Sequence, residues 1–292
     1  MYNGFVLKDF EKRLACIPKG SFNWGTPGDN DPYAGDSIFS RRTIDLDSFY
    51  ISKFEVCNGQ YLEYVTSLLR DARSEDYLKA LPDTLVWRNR LAYNEPYVDY
   101  YFRHPAYRDY PVVGITYDQA NNFCVWLTDK YMREEKRKYK KIVFKLPTRW
   151  QWYYAARGKE DRPFPWNGPY MRRPTGEFCA NFSRIAEQNI YRDQKTKELK
   201  VIPGYPIYSP FGGYMNDAAD ITAPVLSYWP NDFGIYNMAG NVEEFVREKG
   251  KKKGGSWYDP GYYLQNFVEE SYLPDSSASS ERGFRFVMEI LK

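Results

Sequence analysis

The segment Asp232–Trp257, DFGIYNMAGNVEEFVREKGKKKGGSW, constrains this chain more than any other. Gly234, Gly240, Gly254 and Gly255 admit positive φ or close backbone approach, and Phe233, Tyr236, Phe245 and Trp257 supply apolar anchors between them. A stretch built this way is expected to hold one shape, with turns that free backbone carbonyls. Asn237, Asn241 and Glu244 can then converge as hard oxygen donors, the set that calcium takes in preference to nitrogen or sulfur. The same residue types also describe a knot of side-chain-to-backbone turn bonds, the commoner use of Asn-rich turns.

The rest of the chain narrows the class. Its 292 residues suit one large domain or two ordinary ones, and no Ser/Gly- or Pro-rich linker marks a division, so a single domain over 1–292 is expected. Apolar residues at 43% and aromatics at 18% supply a core and argue against disorder. A net charge of +3 is too weak a field to imply nucleic acid. The basic run Arg133–Lys141 is read as continuing a helix and Lys249–Lys253 as leading into a turn, both on solvated surface. Cys16, Cys57, Cys124 and Cys179 form no zinc spacing and are expected as buried free thiols, with a disulfide between two of them as the alternative. His104 is the only histidine, which excludes a three-histidine metal site, and beside Pro105 it reads as a turn residue. No apolar run reaches the ~18 residues of a membrane span. Asp9, Glu11, Lys12 and Arg13 interrupt any signal-peptide core, and Leu14-Ala15-Cys16 only faintly resembles a lipobox, so the expectation is either a cytoplasmic protein or an export segment absent from this sequence.

Along the chain, Leu14–Trp24 predicts a hairpin turning at Pro18-Lys19-Gly20, and a polar loop follows over Thr26–Ser40. Ile44, Leu46, Phe49 and Ile51 predict one strand running on toward Val56. Asn58 is placed to cap a helix whose Tyr61, Leu62, Val65, Leu68 and Leu69 share a face. Residues from about 71 to 110 lack clear periodicity yet carry Trp87, Tyr93, Tyr97, Tyr100, Tyr101, Phe102 and Tyr107. This insertion either packs back on the domain or offers a binding surface, with Trp87, Tyr97 and Tyr101 as its contacts. Thr116 with Gln119, and Thr148 with Gln151, are capping boxes for two further helices, the second closed by Gly158. Beyond Gly158 the chain is nearly helix-free until a final strand over Phe284–Val287. Dense turn networks or bound ions must stand in for the missing ladders there, and Asn181, Asp217 and Asp220 can form a second oxygen cluster.

Taken in order, CIPKGSFNWG, YISKFEVCNGQYLEYV, YPVVGITYDQANNFCVWL, KLPTRWQWYYAARG, FGIYNMAGNVEEF, KKGGSW and PDSSASSERGFRF resemble the formylglycine-generating enzyme (sulfatase-modifying factor) family over nearly the whole chain. The resemblance implies an α+β fold, a variant of the C-type-lectin-like architecture with three short helices, short strands and little regular secondary structure. It also implies one or two calcium ions. One set would take side chains of Asn181 and Asp217 with carbonyls of Phe182 and Ala219, the other Asn237 and Glu244 with carbonyls of Gly240 and Val242. The family's copper-binding cysteine pair falls here on Asp259 and Leu264, in SWYDPGYYLQ. A carboxylate and an alkyl group do not offer the paired thiolates that select Cu(I), so no copper and no formylglycine generation are expected. The related sulfoxide-synthase branch needs histidine-bound iron, which His104 alone does not supply.

PDTLVWRNRLAYNEPYVDYYFRHPAYRDYPVVG further resembles a catalytically silent lipoprotein branch of gliding motility and type IX secretion. That implies a structural component of a periplasmic ring associated with the outer membrane, partnered by envelope proteins in a homo- or hetero-oligomer. Its membrane contact would run only through a lipid anchor absent from this sequence. Two alternatives share the former active-site cleft: an enzyme of altered acid/base chemistry using Tyr258, Asp259 or Tyr262, and a lectin-like or peptide-binding module with contacts at Tyr258 and Asp259. A cleft filled by Trp257 and Tyr263 would speak against both.

Overall fold

The computed structural model describes residues 4–24, 42–88, 93–183, 190–192, 199–201, 221–273 and 278–291. The chain opens with α1 (Leu7–Lys12), β1 (Leu14–Ile17), β2 (Gly20–Trp24), β3 (Arg42–Leu46) and β4 (Phe49–Ser52). Helices α2 (Asn58–Arg70), α3 (Ser74–Ala80), α4 (Glu95–Tyr100) and α5 (Tyr117–Arg133) follow, then β5 (Ile142–Lys145) and α6 (Arg149–Arg157). The remainder carries only short strands: β6 (Ile190–Arg192), β7 (Leu199–Val201), β8 (Glu243–Phe245), β9 (Lys251–Lys253), β10 (Glu269–Ser271), β11 (Arg282–Gly283) and β12 (Val287–Ile290).

One four-stranded sheet has the order β1-β4-β12-β5 and is antiparallel throughout. Both of its faces are buried, because alternate residues of each strand face opposite cores. Phe144, Phe286 and Met288 meet α2 and α5 through Tyr61, Val65, Phe123 and Leu127. Ile17, Ile51 and Val287 meet Trp152 and Tyr153 of α6, together with Ile235, Met238 and Val246. The second sheet, ordered β10-β9-β8-β11, is built almost wholly from the organising segment and the C-terminal stretch, with β11 running parallel to β8.

The two capping boxes form as the sequence predicts. The Thr116 hydroxyl accepts from Gln119 N at 3.2 Å while the Gln119 side chain accepts from Thr116 N at 2.7 Å, and Thr148 with Gln151 repeats the arrangement. Gln119 does more than cap, since its amide nitrogen donates to the carbonyls of Lys79 and Leu81 and ties α5 to the end of α3.

Several expectations are corrected. The described residues hold six α-helices rather than three. The unforeseen ones, α1, α3 and α4, have 6, 7 and 6 residues, too few for an apolar period to repeat. Leu14–Trp24 is not a hairpin: β1 pairs with β4 and β2 with β3, so the Pro18 turn separates two sheets. The expected single strand over Ile44–Ile51 is likewise split into β3 and β4. Cys57, not Asn58, stands at the N-cap of α2, and the Asn58 amide instead donates to the carbonyls of Tyr101 and Tyr107. Leu69 is 46% exposed and Tyr64 takes its place on the buried face. The final strand begins at Val287 rather than Phe284. Helix α5 ends at Arg133, before most of the basic run. Lys249–Lys253 is no solvated turn either, for Lys252 and Lys253 lie in β9 and Lys253 is buried. All four cysteines are free, but Cys16 is exposed. The predicted loop Thr26–Ser40 lies outside the described residues.

The aromatic insertion packs back on the domain. Trp87, Val98, Tyr101 and Val113 form one cluster with Val242 of the organising segment, and Trp87 stacks on Trp257 with ring centroids 6.2 Å apart.

Candidate functional site

The turn at Gly240 fixes the geometry of the centre. Its φ is +73°, and a Cβ there would lie 2.2 Å from the Asn181 carbonyl oxygen, so only glycine admits this approach. Gly240 N donates to Gly254 O, Asn241 N to Asn181 O and Trp257 N to Asn241 O, which locks three segments together within 2.9 Å bonds. Strand β8 leaves this turn with Glu243 and Glu244 adjacent, and the period of two sends their carboxylates to opposite faces.

On one face Glu244 meets Arg285. Arg285 Nε lies 2.8 and 2.7 Å from the two carboxylate oxygens, and Trp152 Nε1 donates to one of them at 2.8 Å. The remaining guanidinium nitrogens donate to the carbonyls of Ser52, Tyr236 and Asn237. Beside this pair, Glu55 accepts from Asn237 Nδ2 at 3.0 Å and Asn241 Nδ2 at 2.8 Å. Burial pushes the Glu55 carboxyl up to about 8, against the pull of Arg285.

This arrangement tests the implied calcium sets. In the first, Asn181 is fully buried and its Oδ1 has no hydrogen-bond partner among the described residues, while its amide nitrogen donates to Ile221 O and Asn241 Oδ1. An orphaned buried oxygen of a hard donor fits a cation. Phe182 follows it directly, whereas Asp217 and Ala219, with Asp220, lie outside the described residues. The second set does not fit. The Glu244 carboxylate is engaged by a guanidinium, Asn237 turns a donor nitrogen rather than an oxygen toward Glu55, and the Asn237 carbonyl also accepts from Arg285. Gly240 and Val242 shape the turn, Gly240 against Asn181 and Val242 within the aromatic cluster.

On the other face, Glu243 accepts from Arg282 Nε at 2.6 Å and from Lys252. Oxygens of Glu243, Asp259 and Glu270 lie within 4.8 Å of one another, and Lys252 is 3.4 Å from Glu270. Burial and the surrounding carboxylates push Glu281 up to about 7, and burial pushes Glu270 up to about 8. Asp259 itself accepts from Ser256 N and Oγ at 2.8 and 2.6 Å, closing a tight turn over Ser256–Asp259. Leu264 is fully buried among Phe164, Phe178 and Phe182. Next to this cluster Lys253 is buried with Nζ donating to the carbonyls of Asn266 and Val268, and desolvation pulls it down to about 7.

Of the sequence-predicted contacts, Asn181, Asn237, Asn241 and Glu244 do converge, and Tyr258 is 50% exposed beside Asp259. Trp87 and Tyr101 are not binding-surface residues: they are 3% and 1% exposed, and Tyr101 Oη bonds Pro111 O and Thr222 Oγ1. Tyr97 packs partly buried against them, so the exposed rings of the insertion are Tyr93 and Tyr100. Sequence reasoning missed Glu55, Glu243, Lys253, Glu270, Glu281, Arg282 and Arg285. For the arginines a signal existed, since adjacent carboxylates on a strand need a cation on each face.

Comparison with known proteins follows the same lines. Residues 8–290 match the sulfatase-modifying factor enzyme 1-like domain. The chain is 25% identical to the formylglycine-generating enzyme of Bos taurus over 94% of its own length and 74% of that protein. It is 23% identical to the inactive C-alpha-formylglycine-generating enzyme 2 of the same species, over 93% and 86%. In fold it is similar to PvdO from Pseudomonas aeruginosa, at 21% identity and a TM-score of 0.58 over 94% of both chains. The α+β architecture inferred from the motifs is thus the architecture present, and the chain belongs to the sulfatase-modifying factor (formylglycine-generating-enzyme-like) family.

Proposed function

We propose that this chain is a non-catalytic member of its family, a protein-binding component of a cell-envelope assembly for secretion or gliding motility, stabilised by calcium. The observation that carries the reading is the pair Asp259 and Leu264. The resemblance assigns these positions to copper-binding cysteines, yet Asp259 is tied into a turn by Ser256 and Leu264 is buried in an apolar cluster. Neither offers a soft ligand, and a fold can keep its architecture while its chemistry is gone. The existence of a relative named as inactive supports such a loss within the family.

Calcium would supply a fixed positive charge to oxygen donors, held here by Asn181 Oδ1 and the Phe182 carbonyl with Asp217 and Ala219. The envelope role rests on the likeness of the YNEPY and HPAYRDYPVVG strings to the type IX secretion branch. Its location would be the periplasm, with partners met by the exposed Tyr93 and Tyr100 of the insertion. Affinity purification from the native cells with mild crosslinking tests this. Stoichiometric recovery of envelope secretion or motility proteins is expected, and recovery of the chain alone would overturn it.

One observation favours a second reading, an enzyme of altered acid/base chemistry. Glu270 and Glu281, with carboxyls raised into the neutral range, gather with Glu243 and Lys252 around Asp259. Retention of partner binding by Asp259→Asn would separate the scaffold from this reading.

A further inference from the structure

We infer that this chain uses its own Arg285 as the cation at the second family metal position, so that no calcium is taken up there. Two features rest on the guanidinium and a third on the Asn237 amide. Arg285 and Glu244 are both buried, at 0% and 1% exposure, and the planar fork engages both carboxylate oxygens within 2.8 Å. The backbone carbonyl of Asn237, whose side chain belongs to the same implied set, accepts from the same guanidinium at 3.2 Å. The Asn237 side chain presents Nδ2 to Glu55 and to the Val225 carbonyl, and the carbonyl, which can only accept, fixes the nitrogen, which cannot ligate calcium, on that side.

The arginine is also anchored from elsewhere. Its other nitrogens donate to the carbonyls of Ser52 and Tyr236, so it bridges β4, the organising segment and the stretch between β11 and β12. An ion at Glu244 would have to sit against this fixed positive charge or break five hydrogen-bonded contacts to displace it. Asn181 differs in the one respect that matters, because its buried Oδ1 is aimed at no donor among the described residues.

The test is the calcium content of the purified full chain, stripped with chelator and dialysed against radioactive calcium, for the parent, Asn181→Ala and Glu244→Gln. The inference expects no more than one ion per chain, unchanged in Glu244→Gln and abolished in Asn181→Ala. Two ions, or one ion that survives Asn181→Ala and is lost in Glu244→Gln, would overturn it. No ion in any variant would remove the calcium clause of the proposed function while leaving the self-contained second position standing. Should Glu244→Gln not fold, Asn181→Ala alone decides, since residual calcium there places an ion elsewhere.

Discussion

Glu244→Gln isolates the pair at the centre of this molecule. The substitution keeps an oxygen for Trp152 Nε1 but leaves the guanidinium of a fully buried Arg285 without its counter-charge. Removing one partner of a buried pair typically costs about 3–5 kcal/mol. Three carbonyls, of Ser52, Tyr236 and Asn237, still solvate the arginine, which places the expected loss near the lower end, about 3 kcal/mol. At roughly 2–4 °C per kcal/mol for a domain of this class, the melting temperature should fall by roughly 6–12 °C. Urea unfolding followed by tryptophan fluorescence at pH 7 measures the first quantity and calorimetry the second. Glu95→Gln, which removes an exposed pair with Arg88, is the control and should change neither. A loss below about 1 kcal/mol for Glu244→Gln would refute the reasoning, because it would put this pair in the class of solvated surface bridges.

Three further outcomes are expected. Gly240→Ala should cost at least about 2 kcal/mol by urea unfolding, because its Cβ meets a backbone carbonyl at 2.2 Å, while Gly234→Ala, at φ +74° with open space, should cost only about 1 kcal/mol. Equal losses would show that strain in φ, not the approach to Asn181, sets the requirement. Tyr101→Phe should lose about 1–2 kcal/mol through its bonds to Pro111 O and Thr222 Oγ1, and a neutral effect would mean the hydroxyl is satisfied otherwise. Stability should pass through a minimum near neutral to mildly alkaline pH. Glu55, Glu270 and Glu281 hold protons in the native state up to about 8, about 8 and about 7, protons that the unfolded chain releases near 4.5, so stability falls across that window. Lys253, lowered to about 7 from 10.5, is neutral in the native state over the range where the unfolded chain still binds its proton, so stability recovers as pH rises further. Urea midpoints at pH 5.5, 7.5 and 9.5 that rise steadily would contradict this.

What the sequence revealed and what it hid divide on physical grounds. Helices α5 and α6 were legible because a capping box is local, its two residues three positions apart, and Thr116 with Gln119 behaves accordingly. The organising segment was legible for the same reason: Gly240 and its neighbours declare a backbone shape within a few residues. Strand partnership was not, since whether β1 meets β2 or β4 depends on tertiary packing rather than on the Pro18 turn. Glu55 was invisible because its partners Asn237 and Asn241 lie 182 and 186 residues away. The burial of Trp87 and Tyr101 could be guessed from the excess of rings in the insertion, but which rings remained outside could not. Helices α3 and α4 within it are too short to declare a period.

The placement of β12 governs how this chain can fold. It lies in the middle of the first sheet, hydrogen-bonded to β4 and to β5, and just before it β11 edges the second sheet beside β8. The first sheet cannot close until β12 has been made, so the β1–β4 pair and β5 each keep an edge open through synthesis of everything between. Such long-range pairing slows folding and prolongs the exposure of sticky edges. Deleting β12 should therefore disturb the fold far more than deleting β1, which occupies only an edge.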